Sequence, residues 1–307
     1  IRSAATVQRV ADTIPGRSGF RQDPERRAQD AGGYFQMSGS GADRARRFGG
    51  VARVYGEAAA GRFAAAHVCV IGLGGVGSWA VEALARSGVG ALTLVDPDNV
   101  AESNINRQLP ALESTLGRAK VDVLRDRVAE INPECQLITV EDFVTPGNVA
   151  EQVTPEYHQV IDCIDNYRAK AALIAHCRRN RIPLVTVGAA GGQVDPTRIR
   201  VTDLARSAQD PLLARVRRLL RQEYGFSRNP RRRFDVPCVW SEEPVVFPTP
   251  EGGVCLQRAA AGSEPRGLSC AGGIGSVMTV TATFALVAVA EVLKRLARPV
   301  SRQQPPD

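Results

Sequence analysis

Residues 68–78 read VCVIGLGGVGS, an apolar run that enters a glycine turn and leaves it in a helix-like stretch. A run of this kind reads as a buried strand, and the spacing Gly72-x-Gly74-x-x-Gly77 joins it to the start of a helix. The first glycine permits a tight turn, the second admits a phosphate to the backbone, and the third lets the helix close on the strand. The N–H groups from Gly75 to Ser78 then point at an anion, helped by the helix dipole. The turn therefore predicts a phosphate-bearing ligand and says nothing more about it.

The rest of the chain sets that turn in a repeating pattern. Strand-like runs at 68–72, 91–96, 136–141, 159–164 and 183–188 alternate with helix-like stretches near 76–87, 118–131, 146–153 and 167–180. This rhythm predicts an α/β fold, a Rossmann-like, doubly wound, mostly parallel sheet covered on both faces. Ligands in such sheets sit beyond the carboxyl ends of the strands. The polar motifs fall there: Asp96 ends the second strand, SNINRQ (Ser103 to Gln108) follows it, and CIDN (Cys163 to Asn166) ends a later one.

After Gln193 the rhythm changes. Short strand-like pieces at 198–202, 238–240, 245–247 and 254–257 surround a basic helix at 211–222 and an arginine-rich loop, an added C-terminal part of short strands and helices. The apolar stretch from Ile274 to Leu293 has the length of a membrane span. Gly275, Ser276, Thr279, Thr281 and Thr283 dilute it, Glu291 lies within it, and Lys294 and Arg295 follow. It reads as a core or dimer-interface helix, and stable membrane insertion is not expected. Residues 1–46 keep no apolar period and read as a disordered leader in which Met37, the first methionine, is the expected natural start. The expected organisation is a nucleotide-binding domain over 47–197, a basic RNA-binding and dimerisation part over 198–297, and a tail over 298–307.

Asp96 lies 24 residues after Gly72, where a carboxylate accepts hydrogen bonds from ribose hydroxyls. A hydride-transferring dehydrogenase would share the turn and this acid, so these features leave two readings level. Asn104, Arg107 and Lys120 separate them. A nicotinamide cofactor needs no cluster of fixed cations, whereas an ATP attacked at its α-phosphorus does, because charge builds on its oxygens and on the departing pyrophosphate. Arg107 can fork two phosphate oxygens and Lys120 supplies a compact charge. Asp165, at a strand end, offers a hard oxygen for Mg²⁺ or else caps the following helix. His67, His158 and His176 fall away from the strand ends and read as structural.

Composition narrows the field. Of 307 residues, 44% are hydrophobic and 23% charged, enough apolar material for a sizeable core. The seven cysteines are scattered with no CxxC pair, which argues against a zinc knuckle. No secretory signal is present in the sequence, and the expected location is the reducing cytoplasm.

GLGGVGS, VDPDNVAESNINRQ, GRAKVDVL, INPEC, CIDN and PLVTVGAAGGQ together resemble the ATP-dependent adenylyltransferases related to ubiquitin-activating enzymes, among them those of molybdopterin and thiamin synthesis. The resemblance implies ATP and Mg²⁺ as cofactors, nucleotide contacts from Gly72, Gly74, Gly75, Gly77, Ser103 and Asn166, ribose binding by Asp96 and phosphate contacts from Asn104, Arg107 and Lys120. It also implies Mg²⁺ at Asp165, and an arginine at position 47 that reaches into the neighbouring subunit of a homodimer. RRFGGVARVYG, FVTPGNVA, VTDLARSAQDPLLARVR and GLSCAGGIGSVMTVTATFALVAV are similar to one branch, the tRNA threonylcarbamoyladenosine dehydratases. That branch implies activation of a threonylcarbamoyl carboxylate on tRNA by ATP, followed by ring closure with release of AMP and pyrophosphate.

The basic segment suits such a substrate. Residues 198–233 hold eleven arginines against three acids, a surplus larger than the +7 of the whole chain. Arg215, Arg217, Arg218 and Arg221 are expected on one helix face or its neighbours, with Arg231 to Arg233 near Tyr224, Phe226 and Phe234 for phosphate contact and base stacking. Cys238 occupies the region where the wider superfamily carries a transfer thiol, although ring closure needs no enzyme nucleophile because the attacking nitrogen belongs to the substrate. The rival readings are an adenylyltransferase acting on the C-terminal glycine of a sulfur carrier, with a sulfur-transfer protein as possible partner, and a non-catalytic RNA-binding protein with a relic nucleotide site.

Overall fold

The computed structural model describes residues 43–249, 252–256 and 274–299. Met37, Cys270, most of the expected leader and most of the tail lie outside the described residues. The end of the leader corrects one expectation: Asp43 accepts from Arg46 N at 3.1 Å and caps α1 (Arg44–Tyr55), so 44–46 are helical. A carboxylate at that position satisfies an N–H that a helix start leaves open.

After α1 the chain forms α2 (Glu57–Ala65), β1 (His67–Ile71), α3 (Gly77–Arg86), β2 (Ala91–Val95), α4 (Lys120–Ile131), β3 (Gln136–Val140), α5 (Val149–Gln152), β4 (Gln159–Asp162), α6 (Tyr167–Arg179) and β5 (Leu184–Val187). There follow β6 (Ile199–Asp203), α7 (Pro211–Glu223), β7 (Pro237–Ser241), a two-stranded hairpin of β8 (Phe247–Pro248) and β9 (Val254–Cys255), and α8 (Met278–Leu296). The predicted alternation of strands and helices is present to within a few residues.

The main sheet runs β3-β2-β1-β4-β5-β7-β6, parallel throughout except for β6, which pairs antiparallel with β7 at the edge. Strands buried on both faces read as near-continuous apolar runs, as HVCVI and ALTLV do apart from His67 and Thr93. Alternate residues of β1 serve different cores. Val68 and Val70 join Leu92, Leu124 and Phe284 on one face, while Cys69 and Ile71 join Leu173, Leu213 and Trp240 on the other. Of the strands of the C-terminal part, β6 and β7 extend this same sheet, while β8 and β9 pair only with each other.

Helix α8 is a core helix: Val280, Phe284, Ala288 and Val292, four residues apart, are all fully enclosed, and the helix packs on α3 and β5. That burial accounts for the long apolar stretch. Among the described residues no helix is long and apolar enough to cross a membrane.

Strand order reverses direction between β1 and β4, so the crevice opens beyond Ile71 and Asp162, which face each other in register.

Candidate nucleotide-binding site

The glycine turn sits in that crevice. Gly72 has φ +86° and donates to Val95 O at 2.9 Å, and a Cβ placed on it would meet Cys163 O at 2.9 Å. A Cβ on Gly77 would lie 1.8 Å from Gly72 O, so helix α3 can approach its strand only without a side chain there. Leu73 N donates to Asp96 Oδ2 at 2.6 Å. The next four N–H groups, of Gly74, Gly75, Val76 and Gly77, find no acceptor among the described residues. They form an anion-binding concavity at the N-terminus of a ten-residue helix.

Asp96 closes one side of the turn. It is buried, with Oδ1 accepting from Asp98 N at 2.9 Å and lying 3.8 Å from Lys120 Nζ. Burial pushes its carboxyl above the ordinary range, and Lys120 and the two N–H donors pull the other way. Lys120, itself only 4% exposed, pairs with Asp98 Oδ2 at 2.8 Å. Its amine is thus brought to Asp96, and Asp98, which the sequence did not single out, holds it there.

The SNINRQ loop closes the other side. Asn104 is buried, and its Oδ1 accepts from Ala101 N at 3.2 Å. Arg107 Nη1 donates to Ser103 O at 2.7 Å and Asn106 Oδ1 at 2.8 Å, while its aliphatic stem passes 3.2 Å from where a Cβ of Gly75 would be. Two residues of α3 fasten this loop to the turn. Ser78 Oγ donates to Gly74 O at 2.6 Å and accepts from Leu109 N at 3.2 Å, and Trp79 Nε1 donates to Arg107 O at 3.0 Å. Asp96 with Lys120, and Asn104 with Arg107, therefore flank one turn.

At the end of β4, Asn166 takes the cap of α6, accepting from Arg168 N at 3.0 Å and Ala169 N at 3.2 Å. Asp165 is exposed beside it and has no partner among the described residues. The predicted choice between metal ligand and cap is thereby narrowed, because the neighbour does the capping. A single free carboxylate at the mouth fits Mg²⁺, which keeps waters and phosphate oxygens around one or two protein ligands. Among the described residues no group of three or more His, Cys, Asp or Glu could hold a metal without such help.

Arg47 is not at this site in its own chain. Its Nη1 donates to Ile131 O at 2.8 Å and Glu130 O at 3.2 Å, at the end of α4 remote from Lys120 by about 16 Å of helix. The groove beside it, about 690 Å³, is lined by Arg47, Phe48, Arg86, Arg127 and Glu130 among others. Cys238 lies in mid-strand and is fully buried, with burial pushing its thiol well above the ordinary range. A thiol in that state is no nucleophile. The three histidines are structural, His67 meeting Thr93 Oγ1 at 2.8 Å, His158 Nδ1 accepting from His67 N at 3.1 Å and His176 meeting Val153 O at 2.7 Å.

The basic segment is less uniform than its sequence. Arg215 and Arg218 are exposed on α7 and Arg231 to Arg233 on the loop. Arg217 turns inward to Ser207 Oγ, and Arg221 stacks over Phe234 at 5.2 Å. Phe234 is buried and meets Phe226 edge-on at 4.9 Å, so the expectation that these two rings stack on a base is corrected. They belong to the core under the loop because α7 needs apolar cover on its inner face.

One buried cluster had no sequence signal. Lys170 Nζ and Asp162 Oδ2 pair at 2.8 Å with neither side chain exposed, and Thr186 Oγ1 donates to the same oxygen at 2.6 Å. Asp162 Oδ1 also accepts from Ile164 N at 3.1 Å, which fixes the strand end that leads to Asp165.

Residues 48–306 match the ThiF family. The tRNA threonylcarbamoyladenosine dehydratase of Escherichia coli is 53% identical over 84% of this chain and 96% of its own. That of Haemophilus influenzae is 48% identical over 82% and 94%. The solved structure of the Escherichia coli enzyme in complex with ATP superposes with a TM-score of 0.73 at 50% identity, covering 82% of this chain and 94% of that one. On this coverage and identity the chain belongs to the ThiF family and, within it, to the tRNA threonylcarbamoyladenosine dehydratases.

Proposed function

We propose that this chain is an ATP-dependent dehydratase that closes the threonylcarbamoyl group of threonylcarbamoyladenosine in tRNA into a ring. The observation that carries the reading is the glycine turn with four unpaired N–H groups, flanked by Asp96 and Lys120 on one side and Asn104 and Arg107 on the other. An α-phosphate seated on such donors accepts a carboxylate oxygen as pyrophosphate departs, because fixed dipoles and cations are in place before charge develops. The resulting acyl-adenylate is attacked by a nitrogen of the same substituent, and AMP leaves with the carboxylate oxygen. No enzyme nucleophile enters, in keeping with the buried thiol of Cys238.

Within this reading Asp96 holds the ribose, Gly72, Gly74, Gly75, Gly77 and Ser103 line the phosphates, and Arg107 swings from Ser103 O to the triphosphate. Asp165, with Asn166 beside it, would hold Mg²⁺ and so supply positive charge at the phosphate oxygens. Exposed arginines of α7 and the 231–233 loop contact tRNA phosphates. Arg47 acts in the partner subunit of a homodimer, since in its own chain it lies at the far end of α4. The cytoplasm is the compartment in which such a tRNA-modifying enzyme would work.

The test is mass spectrometry of adenosine derivatives in threonylcarbamoylated tRNA before and after incubation with the protein and ATP. The expected result is loss of one water from the modified nucleoside, with stoichiometric AMP and pyrophosphate. ADP as product, turnover without RNA, or pyrophosphate exchange that depends on a sulfur carrier instead of tRNA would overturn the reading. Mixing Arg47→Ala with Arg107→Ala protein tests the shared site, because a trans arginine predicts partial recovery of activity and a cis one predicts none.

A further inference from the structure

Gln108 follows Arg107 on the SNINRQ loop, and no role has fallen to it so far. It is 8% exposed, its Oε1 is enclosed without a hydrogen-bond partner, and no partner is present for its Nε2 among the described residues. Its backbone is fully engaged, N donating to Asn104 O at 2.9 Å and O accepting from Ala111 N at 3.1 Å. The amide nitrogen faces the glycine turn, 3.9 Å from where a Cβ of Gly74 would stand. Gln108 and Arg107 thus lie side by side against Gly74 and Gly75, two of the four residues with open N–H groups.

A buried polar side chain without a partner destabilises the fold that carries it, and each one in a native structure calls for a reason, a bound ion or a catalytic role among them. Here the open end is a donor, and it looks onto a concavity built for an anion. On the strength of the function proposed above, we infer that Gln108 is a ligand residue of the phosphate site, its Nε2–H donating to a non-bridging oxygen of the phosphate that rests on Gly74 and Gly75. It differs from Arg107 and Lys120 in being neutral. It therefore adds a directed hydrogen bond without adding charge, and packing alone holds its amide until the anion arrives.

The chemistry gives a test in which stability and binding move in different directions. Gln108→Leu and Gln108→Met fill nearly the same space and remove the amide. Each is expected to melt at or above the wild-type temperature in the absence of nucleotide, because the orphaned acceptor is gone. ATP affinity measured by calorimetry should fall roughly ten- to hundredfold, the range for a hydrogen bond to a charged group. KM for ATP in AMP release on threonylcarbamoylated tRNA should rise with it.

A variant that folds and binds ATP as wild type does would overturn the inference. So would failure of both variants to fold, since the amide would then be a structural group. Absence of ATP binding by the wild-type protein itself would sink the proposed function as well, and that outcome is visible before any variant is made.

Discussion

Replacing Gly77 with alanine puts a methyl carbon 1.8 Å from Gly72 O, where real Cβ atoms come no closer than 3.0 Å. The start of α3 and the end of β1 must then part by about 1.2 Å at that point. Neither side is free to move. Gly72 N is tied to Val95 O, Leu73 N to Asp96, and Ser78 to both Gly74 and Leu109, so the strain spreads into the turn itself. Overpacking of this kind destabilises by about 1–3 kcal/mol, which for a chain of this size lowers Tm by something on the order of 5 °C. The functional loss is the larger effect, because a displacement near 1 Å at a reacting centre reduces turnover by roughly a hundredfold. Gly61→Ala is the control: it lies within α2 with nothing inside 4 Å of its Cβ, so the same substitution should stabilise by about 0.5–1 kcal/mol. Thermal melts with and without ATP, and AMP release on modified tRNA, read both. Gly77→Ala protein that melts with the wild type and turns over normally would refute the close contact on which the site's geometry depends.

Three further outcomes follow from the site and its support. Lys170→Met should weaken the fold by about 3–5 kcal/mol in denaturant unfolding, because it leaves the carboxylate of Asp162 buried and unpaired, whereas Asp162→Leu with Lys170→Met should lose far less. Native protein should resist alkylation at Cys238 at mildly alkaline pH and react there only after unfolding, since burial keeps the thiol protonated; rapid native labelling at that position would contradict the structure. ATP binding should weaken on the acid side at a pH above the 3.8 of an ordinary aspartate, because the raised pKa of Asp96 returns its proton early, and Asp96→Asn should abolish that limb together with most of the affinity.

The parts of this protein that were legible in the sequence are those whose cause is local. A glycine at position 77 is required by a contact five residues away, and the apolar runs of β1 to β5 are required by burial on both faces, so spacing alone reveals them. The flanking residues Asp96, Asn104, Arg107 and Lys120 were legible for a related reason, since each belongs to a strand end or the segment after it, and the parallel sheet gathers those ends together.

Burial set by distant packing left no such trace. Gln108 reads as one more polar loop residue until the turn at Gly74 is laid against it, and Phe234 reads as an exposed ring among arginines until α7 is packed over it. The pair Lys170 and Asp162 stand eight residues apart on a helix and a strand, with nothing in either stretch to say that both will be sealed beneath Thr186. Its consequence is mechanical. The buried carboxylate grips Ile164 N, so the strand end that leads to Asp165 is held from below by an ion pair sealed from solvent. A substitution at Lys170 therefore has two routes to lost activity, and only one passes through global unfolding. If Asp165 holds Mg²⁺ as proposed, then at temperatures where Lys170→Met remains folded a loosened strand end should raise the Mg²⁺ concentration needed for half-maximal AMP release, while the Asp96 side of the pocket stays intact.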